Sequence, residues 1–489
     1  MSIRVYNSLT RQREEFTPLN PPRVGIYVCG PTVYGHAHLG HAKSYVSFDA
    51  IVRWLRFSGY QVNYVQNITD VGHLTENDDD AGEDKIVAEA RRRGLHPMAV
   101  AEAFTASYLE DMDALNVLRP DIMPRASGHI PEQIAQIQAL IARGHAYEAN
   151  GSVYFDVHSF PQYGRLSGRT VAELEAGARV AVNPEKRHPA DFALWKHAEP
   201  GHLMRWPSPW GEGFPGWHIE CSVMSQKYLG ETFDIHGGGV ENKFPHHECE
   251  IAQAECATGR PFVRYWLHNN MVTLDGQKMG KSLGNSIMLK QLFREGHPLL
   301  EKTFEPVVVR HFVLTSHYGQ PLDFSNQALH AAESGCRRLR DAVRELGKAA
   351  RLANEGPRAE KLRAALGDVE QRFADAMNED FNTAAAVARL FDFAKQASEW
   401  ITGGVGREDL LAADTLMQRL TGDVLGLRWP EETGASAARQ EELIKLLVEL
   451  RNDARKRKDF QLADHIRARL TSLGVELRDN PQGTAWTVA

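Results

Sequence analysis

The apolar run Val24-Gly-Ile-Tyr-Val28 predicts a first strand, and a glycine- and histidine-containing turn follows it. A helix is expected over His38–Phe57, and Tyr60-Gln-Val-Asn-Tyr-Val-Gln-Asn-Ile68 reads as a second strand. Strand, turn, helix, strand is a βαβ unit, which implies a parallel sheet with ligands at the carboxyl ends of its strands. Glu76–Arg93 is charge-dense, acidic and then basic, the pattern of a solvated loop and helix. From about Pro120 the texture changes. Ile130–Arg143 is an amphipathic helix, Gly151–Val157 a strand, and Pro184–Pro215 is rich in proline, tryptophan and glycine, so this stretch is expected to be an insertion that splits the first domain. The sheet pattern resumes at Thr232–His236 and Pro261–His268. After Pro306 the chain reads as helical, with breaks at Gly403-Gly404 and Trp429-Pro430. From about Gln440 it reads helix, helix, then a strand pair around Gly474–Leu477 and Ala485–Val488.

A chain of 489 residues exceeds one compact core. Its 43% hydrophobic and 24% charged residues are those of a globular protein. Met1–Asn7 lacks the basic start and apolar core of a secretion signal, and no window reaches the roughly 18–20 apolar residues of a membrane span. Five cysteines in so long a chain point to a reducing cytoplasm rather than a disulfide framework. A net charge of −7 excludes coating of nucleic acid by global attraction but leaves room for local basic surfaces.

Cys29 ends the first strand. Trp217-His-Ile-Glu-Cys221 supplies a second thiol, and Phe244-Pro-His-His-Glu-Cys-Glu250 opens a helix with Pro245 expected in its first turn. His246 and Glu250 are four apart and share a helix face, whereas His247 and Cys249 are expected on other faces. Cys29, Cys221, His246 and Glu250 form a borderline-soft set that suits zinc. From spacing alone, four unrelated buried side chains remain the alternative. His38-Leu-Gly-His41 opens a helix after a strand and turn, where backbone N–H groups and the helix dipole favour phosphate. Asp275-Gly-Gln-Lys-Met-Gly-Lys-Ser-Leu-Gly-Asn285 carries Lys278 and Lys281 among glycines, a basic loop able to close over a triphosphate. Phe233-Asp-Ile-His-Gly-Gly-Gly239 is a third stretch where backbone can line a nucleotide, and Cys256 and Cys336 read as isolated thiols.

The HxGH helix start paired with a downstream KMxKS-like loop resembles the class I aminoacyl-tRNA synthetases. The Cys29/Cys221/His246/Glu250 set narrows the resemblance to the cysteinyl-tRNA synthetase family. Asn7–Phe16, Asn67-Ile-Thr-Asp70, Trp206–Gly211 and Pro481–Trp486 also look like that family. The resemblance implies an α/β fold: a Rossmann-like parallel-sheet catalytic domain split by an insertion, then a helical bundle and a small mixed C-terminal anticodon-binding domain. The implied boundaries are 1–119 and 206–270 for the catalytic halves, 120–205 for the inserted connective domain, 271–310 for the lysine loop and stem-contact region, 311–430 for the bundle and 431–489 for the terminal domain.

The implied activity is ATP-dependent activation of L-cysteine to cysteinyl-adenylate and transfer to the 3′ end of its tRNA. One zinc per chain, on Cys29, Cys221, His246 and Glu250, binds the substrate thiolate and rejects serine, and ATP arrives with Mg2+. By match, Thr69 and Trp217 line the amino-acid pocket, His38 and His41 stabilise the α-phosphoryl group, and Lys278 and Lys281 the departing pyrophosphate. Leu39 stands where isoleucine is usual and Gly280 where serine is usual, so loop flexibility differs while Lys281 is retained. Arg451–Asp464 resembles the anticodon-reading segment, with five basic against three acidic side chains. Basic groups beside an aromatic fit single-stranded RNA. There Arg455, Asp464 and Asp479 are expected to read anticodon bases while Phe460 stacks. The family expectation is a cytoplasmic monomer with no membrane partner. The rival readings are the cysteine ligase of mycothiol synthesis, which resembles only the front of the chain, and a non-catalytic RNA-binding paralogue, which should have lost a signature histidine, Lys281 or a zinc ligand.

Overall fold

Arg23–Val28 (β1) leads through the histidine turn into Leu39–Phe57 (α1), which crosses over to Gln61–Gln66 (β2). Much later in the chain, Trp217–Leu229 (α2), Phe233–Gly239 (β3), His246–Thr258 (α3) and Val263–Asn269 (β4) complete the same sheet. The spatial order is β4-β3-β1-β2 and every pairing is parallel. β3 is buried along its whole length, as a strand covered on both faces must be. Strand order reverses between β1 and β3, which puts the ligand crevice beyond their carboxyl ends. At that end Val28 pairs with both Gln66 and Gly237, and the Cys29 N–H donates to the Gly237 carbonyl at 3.0 Å.

The computed structural model describes residues 2–71, 84–171, 183–280, 284–429, 433–480 and 483–488. The chain divides into two units, 1–428 and 429–489. Between β2 and α2, the helix Ile130–Ala142 accompanies an antiparallel five-stranded sheet whose strands, in spatial order, are 146–149, 152–155, 192–197, 211–215 and 206–208. Helices Pro306–Leu314, Asn326–Leu352, Glu360–Asn378, Thr383–Thr402 and Arg407–Gln418 fill the end of the first unit. The second unit holds helices Thr433–Lys456 and Phe460–Ser472 and the hairpin Val475–Asn480/Gly483–Val488. Ile444, Val448, Leu470, Val475 and Leu477 form its core.

Several local expectations shift. Pro245 is the N-cap of α3 rather than a residue of its first turn. Leu322–Phe324 is a strand inside the stretch read as helical, paired in parallel with Val272–Leu274; three residues are too few to reveal a period of two. Of the charged stretch, Lys85–Arg93 is a helix capped by Asp84, and 76–83 lies outside the described residues.

Candidate functional site

The carboxyl ends of β1 and β3 and the starts of α1, α2 and α3 frame a cleft of about 220 Å³. Cys29, His38, His41, Thr69, Trp217, Cys221 and His246 all line it. Ligand atoms of Cys29, Cys221, His246 and Glu250 lie within 4.8 Å of one another. His246 Nε2 is 3.1 Å from Glu250 Oε1, as the four-residue helical spacing requires, and Cys29 Sγ is 3.8 Å from the same oxygen. The nearly two hundred residues between Cys29 and Cys221 hold α1, β2 and the inserted sheet, after which α2 returns to the parallel sheet, so sequence distance says nothing against the cluster.

These donors fit a borderline divalent cation. The ion-pair partners of the fully buried Glu250 among the described residues are all histidines: His236, His246 and His247. Burial, then the Cys221 thiol and the Glu250 carboxylate, pushes the Cys29 thiol well above its ordinary range. Burial, then the surrounding imidazoles, holds His247 well below the usual histidine range. Buried acidic groups with no cationic lysine or arginine partner are costly unless a metal completes them. His246 Nδ1 lies 2.9 Å from His218 Nδ1, and the Trp217 ring stacks on His246 at 4.3 Å, so the ring that presents Nε2 to the cluster is held from behind.

The signature histidines close a reciprocal cap on α1. His38 Nδ1 accepts from Gly40 N at 3.1 Å, and His41 Nδ1 accepts from His38 N at 3.0 Å. A ring nitrogen that accepts carries no proton, so each ring bears its N–H on Nε2, at the positive end of a 19-residue helix. The arrangement offers two imidazole donors and a helix terminus to one anion. The chain beyond the lysine loop is tied to the same turn: Leu39 N donates to Ile287 O at 3.1 Å and Leu289 N to Ala37 O at 2.8 Å. Lys278 lies exposed in the short strand Gln277–Lys278, and Lys281 lies outside the described residues. Asn285 bridges the loop's flanks, accepting from Gly280 N at 2.9 Å and donating to Lys278 O at 3.1 Å.

Residues 15–334 match the family model described as tRNA synthetases class I (C) catalytic domain, and residues 372–428 match a DALR domain. A cysteine–tRNA ligase of Chlorobaculum tepidum is 54% identical over 502 residues, covering 99% of each chain. The chain belongs to the cysteine–tRNA ligase family. A cysteine–tRNA ligase of Thermus thermophilus is 50% identical, again over 99% of each chain. Among solved structures, Mycobacterium tuberculosis methionyl-tRNA synthetase with methionyl-adenylate superposes with a TM-score of 0.54 at 15% identity, over 83% of this chain and 90% of that one. The ternary complex of Agrobacterium radiobacter K84 LeuRS with tRNA and LeuAMS gives 0.59 at 14%, over 84% and 85%. These two likenesses concern the fold alone.

Within this family member, Cys29, Cys221, His246, His38, His41, Thr69 and Trp217 line one cleft, Glu250 lies buried behind it within reach of the other three expected zinc ligands, and Lys278 does not line it. Thr69 Oγ1 accepts from Asn67 Nδ2 at 3.0 Å, and Asn67 Oδ1 accepts from Gly30 N at 2.7 Å, which ties the pocket wall to the residue after Cys29. The glycines of β3 play a different part from the one expected. A Cβ on Gly237 would strike the Phe48 ring and one on Gly238 would lie 2.8 Å from His247 Cε1, so both serve packing, and only Gly239 borders the cleft.

Three groups escaped the sequence. His247 does not point away: it is three residues before Glu250, a spacing that also shares a helix face, and its Nε2 sits 3.2 Å from Cys29 Sγ. His236 Nε2 reaches Glu250 Oε2 at 2.8 Å from the middle of β3. Glu220, beside Cys221 and near Thr69, is buried, and burial, then Cys221 and Asp70, pushes its carboxyl well above the carboxylate range. In the second unit, Arg455, Phe460 and Asp464 are exposed, with Phe460 at 60%, whereas Arg451 is buried and reaches Thr484 at 3.4 Å. Of Asp479 only the backbone, in the strand Val475–Asn480, is described.

Proposed function

We propose that this chain condenses L-cysteine with ATP and then charges tRNA for cysteine, in two balanced steps. The cysteine carboxylate attacks the α-phosphorus, the bond to the β-phosphate oxygen breaks, and cysteinyl-adenylate and pyrophosphate form. A terminal ribose hydroxyl of the tRNA then attacks the mixed anhydride, and AMP leaves. The observation that carries the reading is the meeting, in one cleft, of a two-thiol, imidazole and carboxylate cluster with the paired imidazoles at the start of α1.

Cys29, Cys221, His246 and Glu250 are the residues that would hold one zinc ion. A zinc bound there supplies a soft partner for a substrate thiolate that a serine hydroxyl does not match. Trp217 and Thr69 shape the space for the amino acid. The Nε2–H groups of His38 and His41 donate to the α-phosphoryl oxygens as charge builds on them, with α1's amino end adding its dipole. Lys278 and Lys281 neutralise the pyrophosphate, Mg2+ accompanies ATP, and catalysis is mostly positioning and charge stabilisation.

For the acceptor, we assign 1–119 and 206–270 to catalysis, apart from the strands 206–208 and 211–215 that pair into the inserted sheet, 120–205 to the insertion, 271–310 to the loop and stem contact, 311–430 to the bundle and 431–489 to the anticodon. There the exposed run Arg455–Lys458 and the Phe460 ring offer charge and a stacking platform, and Asp464 and Asp479 offer acceptors. The chain is taken to act as a cytoplasmic monomer; no helix of the described residues is long and apolar enough to cross a membrane. A full-length match to tRNA ligases weighs against the amino-sugar ligase, whose likeness ends early. The test is cysteine-dependent ATP–pyrophosphate exchange and tRNA charging by the full chain. Exchange without charging of any tRNA would overturn the second step, and no exchange with cysteine would overturn the first.

A further inference from the structure

Behind the residues that line the cleft lies a layer of buried imidazoles, His236, His247 and His268, and that layer has metal-site geometry of its own. Ligand atoms of Cys29, His236, His247 and Glu250 also lie within 4.8 Å of one another. Zinc with sulfur at ~2.3 Å and nitrogen or oxygen at ~2.0–2.1 Å has tetrahedral donor–donor edges of about 3.3–3.6 Å. Around the deeper set, Cys29 Sγ to His247 Nε2 is 3.2 Å, Cys29 Sγ to Glu250 Oε1 is 3.8 Å, His247 Nε2 to Glu250 Oε1 is 4.0 Å and His236 Nε2 to Glu250 Oε2 is 2.8 Å. These edges bracket the tetrahedral values, with Glu250 turning Oε1 to Cys29 and His247 and Oε2 to His236.

The supports are in place as well. His247 Nδ1 meets His268 Nε2 at 2.8 Å, which turns its other nitrogen toward Cys29. Trp266 stacks flat on His236 at 4.5 Å and fixes that ring's plane. His236 Nδ1 and His268 Nδ1 are buried without hydrogen-bond partners, unusual polar orphans in a closed pocket. His236 and His247 are both fully buried and, unlike Cys29, Cys221 and His246, do not line the cleft.

We propose that the protein has a second, deeper seat for a borderline-soft divalent cation, built from Cys29, His236, His247 and Glu250. Because Cys29 and Glu250 belong to both sets, the seats exclude each other and the chain holds one ion at a time. Filling the deep seat releases the Cys29 proton to solvent and moves the His236 ring proton from Nε2 to the orphan Nδ1. That stranded N–H, and one thiolate in place of two, make the deep seat the weaker one while Cys221 is present. An ion held there is bonded to Cys29 from behind the cleft, on the side of His236 and His247, which do not line it.

The experiment uses the full chain with its metal exchanged for Co2+, whose spectrum reports thiolate ligands. The wild-type chain should bind one Co2+ with a two-thiolate charge-transfer band, which tests the outer set independently. Cys221→Ser/His246→Ala, stripped of the two ligands peculiar to the outer seat, should still bind one Co2+, with a band roughly half as intense. Adding His247→Ala should weaken that binding by at least about 100-fold. A natively folded double variant that takes up no Co2+, or a triple variant that binds as well as the double, would overturn the deep seat. The milder Cys221→Ser chain gives a second reading by anomalous scattering at the zinc edge. A peak among Cys29, His236, His247 and Glu250 is expected, and a peak beside His246 would refute it.

Discussion

Gly30 follows the first metal-ligand candidate, and it is the tightest backbone crossing at the site. A Cβ there would overlap the Asn67 carbonyl oxygen and lie 2.6 Å from the carbonyl carbon. Carbon pairs settle at roughly 3.5–4.0 Å, so relieving the carbon contact alone makes Gly30→Ala drive the two backbones apart by at least about 1 Å, and the closer oxygen demands more. Neither partner is the flexible end of a side chain, so the strain is not relieved by a rotamer change. Overpacking of this kind costs about 1–3 kcal/mol. Loss of the 2.7 Å bond from Gly30 N to Asn67 Oδ1 adds about 0.5–1.5 kcal/mol, for a destabilisation of about 1.5–4.5 kcal/mol. The chemical effect should exceed the thermal one. Metal–ligand distances tolerate only about 0.2 Å, and a misplacement of about 1 Å at a reacting centre costs on the order of 100-fold. Gly30→Ala should therefore lose bound metal and about 100-fold in kcat/KM for cysteine in pyrophosphate exchange. Gly128→Ala, where an added Cβ meets nothing within 4 Å, is the matched control and should change neither. Wild-type metal content and exchange in Gly30→Ala would refute the reasoning.

Three further perturbations probe the rest of the chain. His311 is buried without a well-formed hydrogen bond, and burial, only partly offset by the nearby Ala332 backbone, lowers its pKa to about 4. The unfolded chain therefore binds the extra proton first, and stability should fall by about 3 kcal/mol as pH drops from ~6.5 to 4. His311→Leu should flatten that part of the pH–stability curve, and an unchanged slope in calorimetry would contradict the assignment. Asp49→Asn leaves the buried guanidinium groups of Arg310 and Arg53 without a carboxylate and should cost about 3–5 kcal/mol; an unaltered melting temperature would count against this account. Removing residues 429–489, the whole second unit, should spare cysteine-dependent exchange and abolish tRNA charging, and equal charging by the shortened chain would reassign RNA binding.

Residue type and a short period made part of this molecule legible. β1, α1 and β2 run within two residues of their expected ends because each is long enough to show its period. Cys29, Cys221, His246 and Glu250 were found through their chemistry and family likeness, since nothing local links a strand end to two distant helices. His247 was misjudged because only the four-residue helical neighbour was weighed, although the three-residue neighbour faces the same way. His236 was hidden by its glycines: the run after it suggested a nucleotide loop, whereas Gly237 and Gly238 make room for Phe48 and His247. Arg451 counts among the five basic side chains of the terminal segment, yet it is buried and reaches Thr484 of the hairpin. Such errors share a cause, because tertiary neighbours decide which of several equally spaced side chains turns inward.

The same limit hides why α1 sits where it does. Its first turn presents His38 and His41, yet four of its later polar residues, Lys43, Ser47, Asp49 and Arg53, are buried. Lys43 Nζ donates to the His317 carbonyl at 3.2 Å. Asp49 accepts from Leu118 N, Arg53 and Arg310. Arg310 also donates to the carbonyls of Leu115, Asn116 and Leu425, and Arg53 to those of Asn116 and Asp423. One carboxylate and two guanidinium groups thus join the signature helix, the segment entering the insertion and the end of the helical region. Buried charges tolerate little displacement, since each lost partner leaves an uncompensated ion. A slide of Pro306–Leu314 or of residues 419–426 against α1 would break that knot. The helical region is therefore a brace for the turn that carries His38 and His41: the placing of these two imidazoles in the cleft is set partly by side chains that lie outside it.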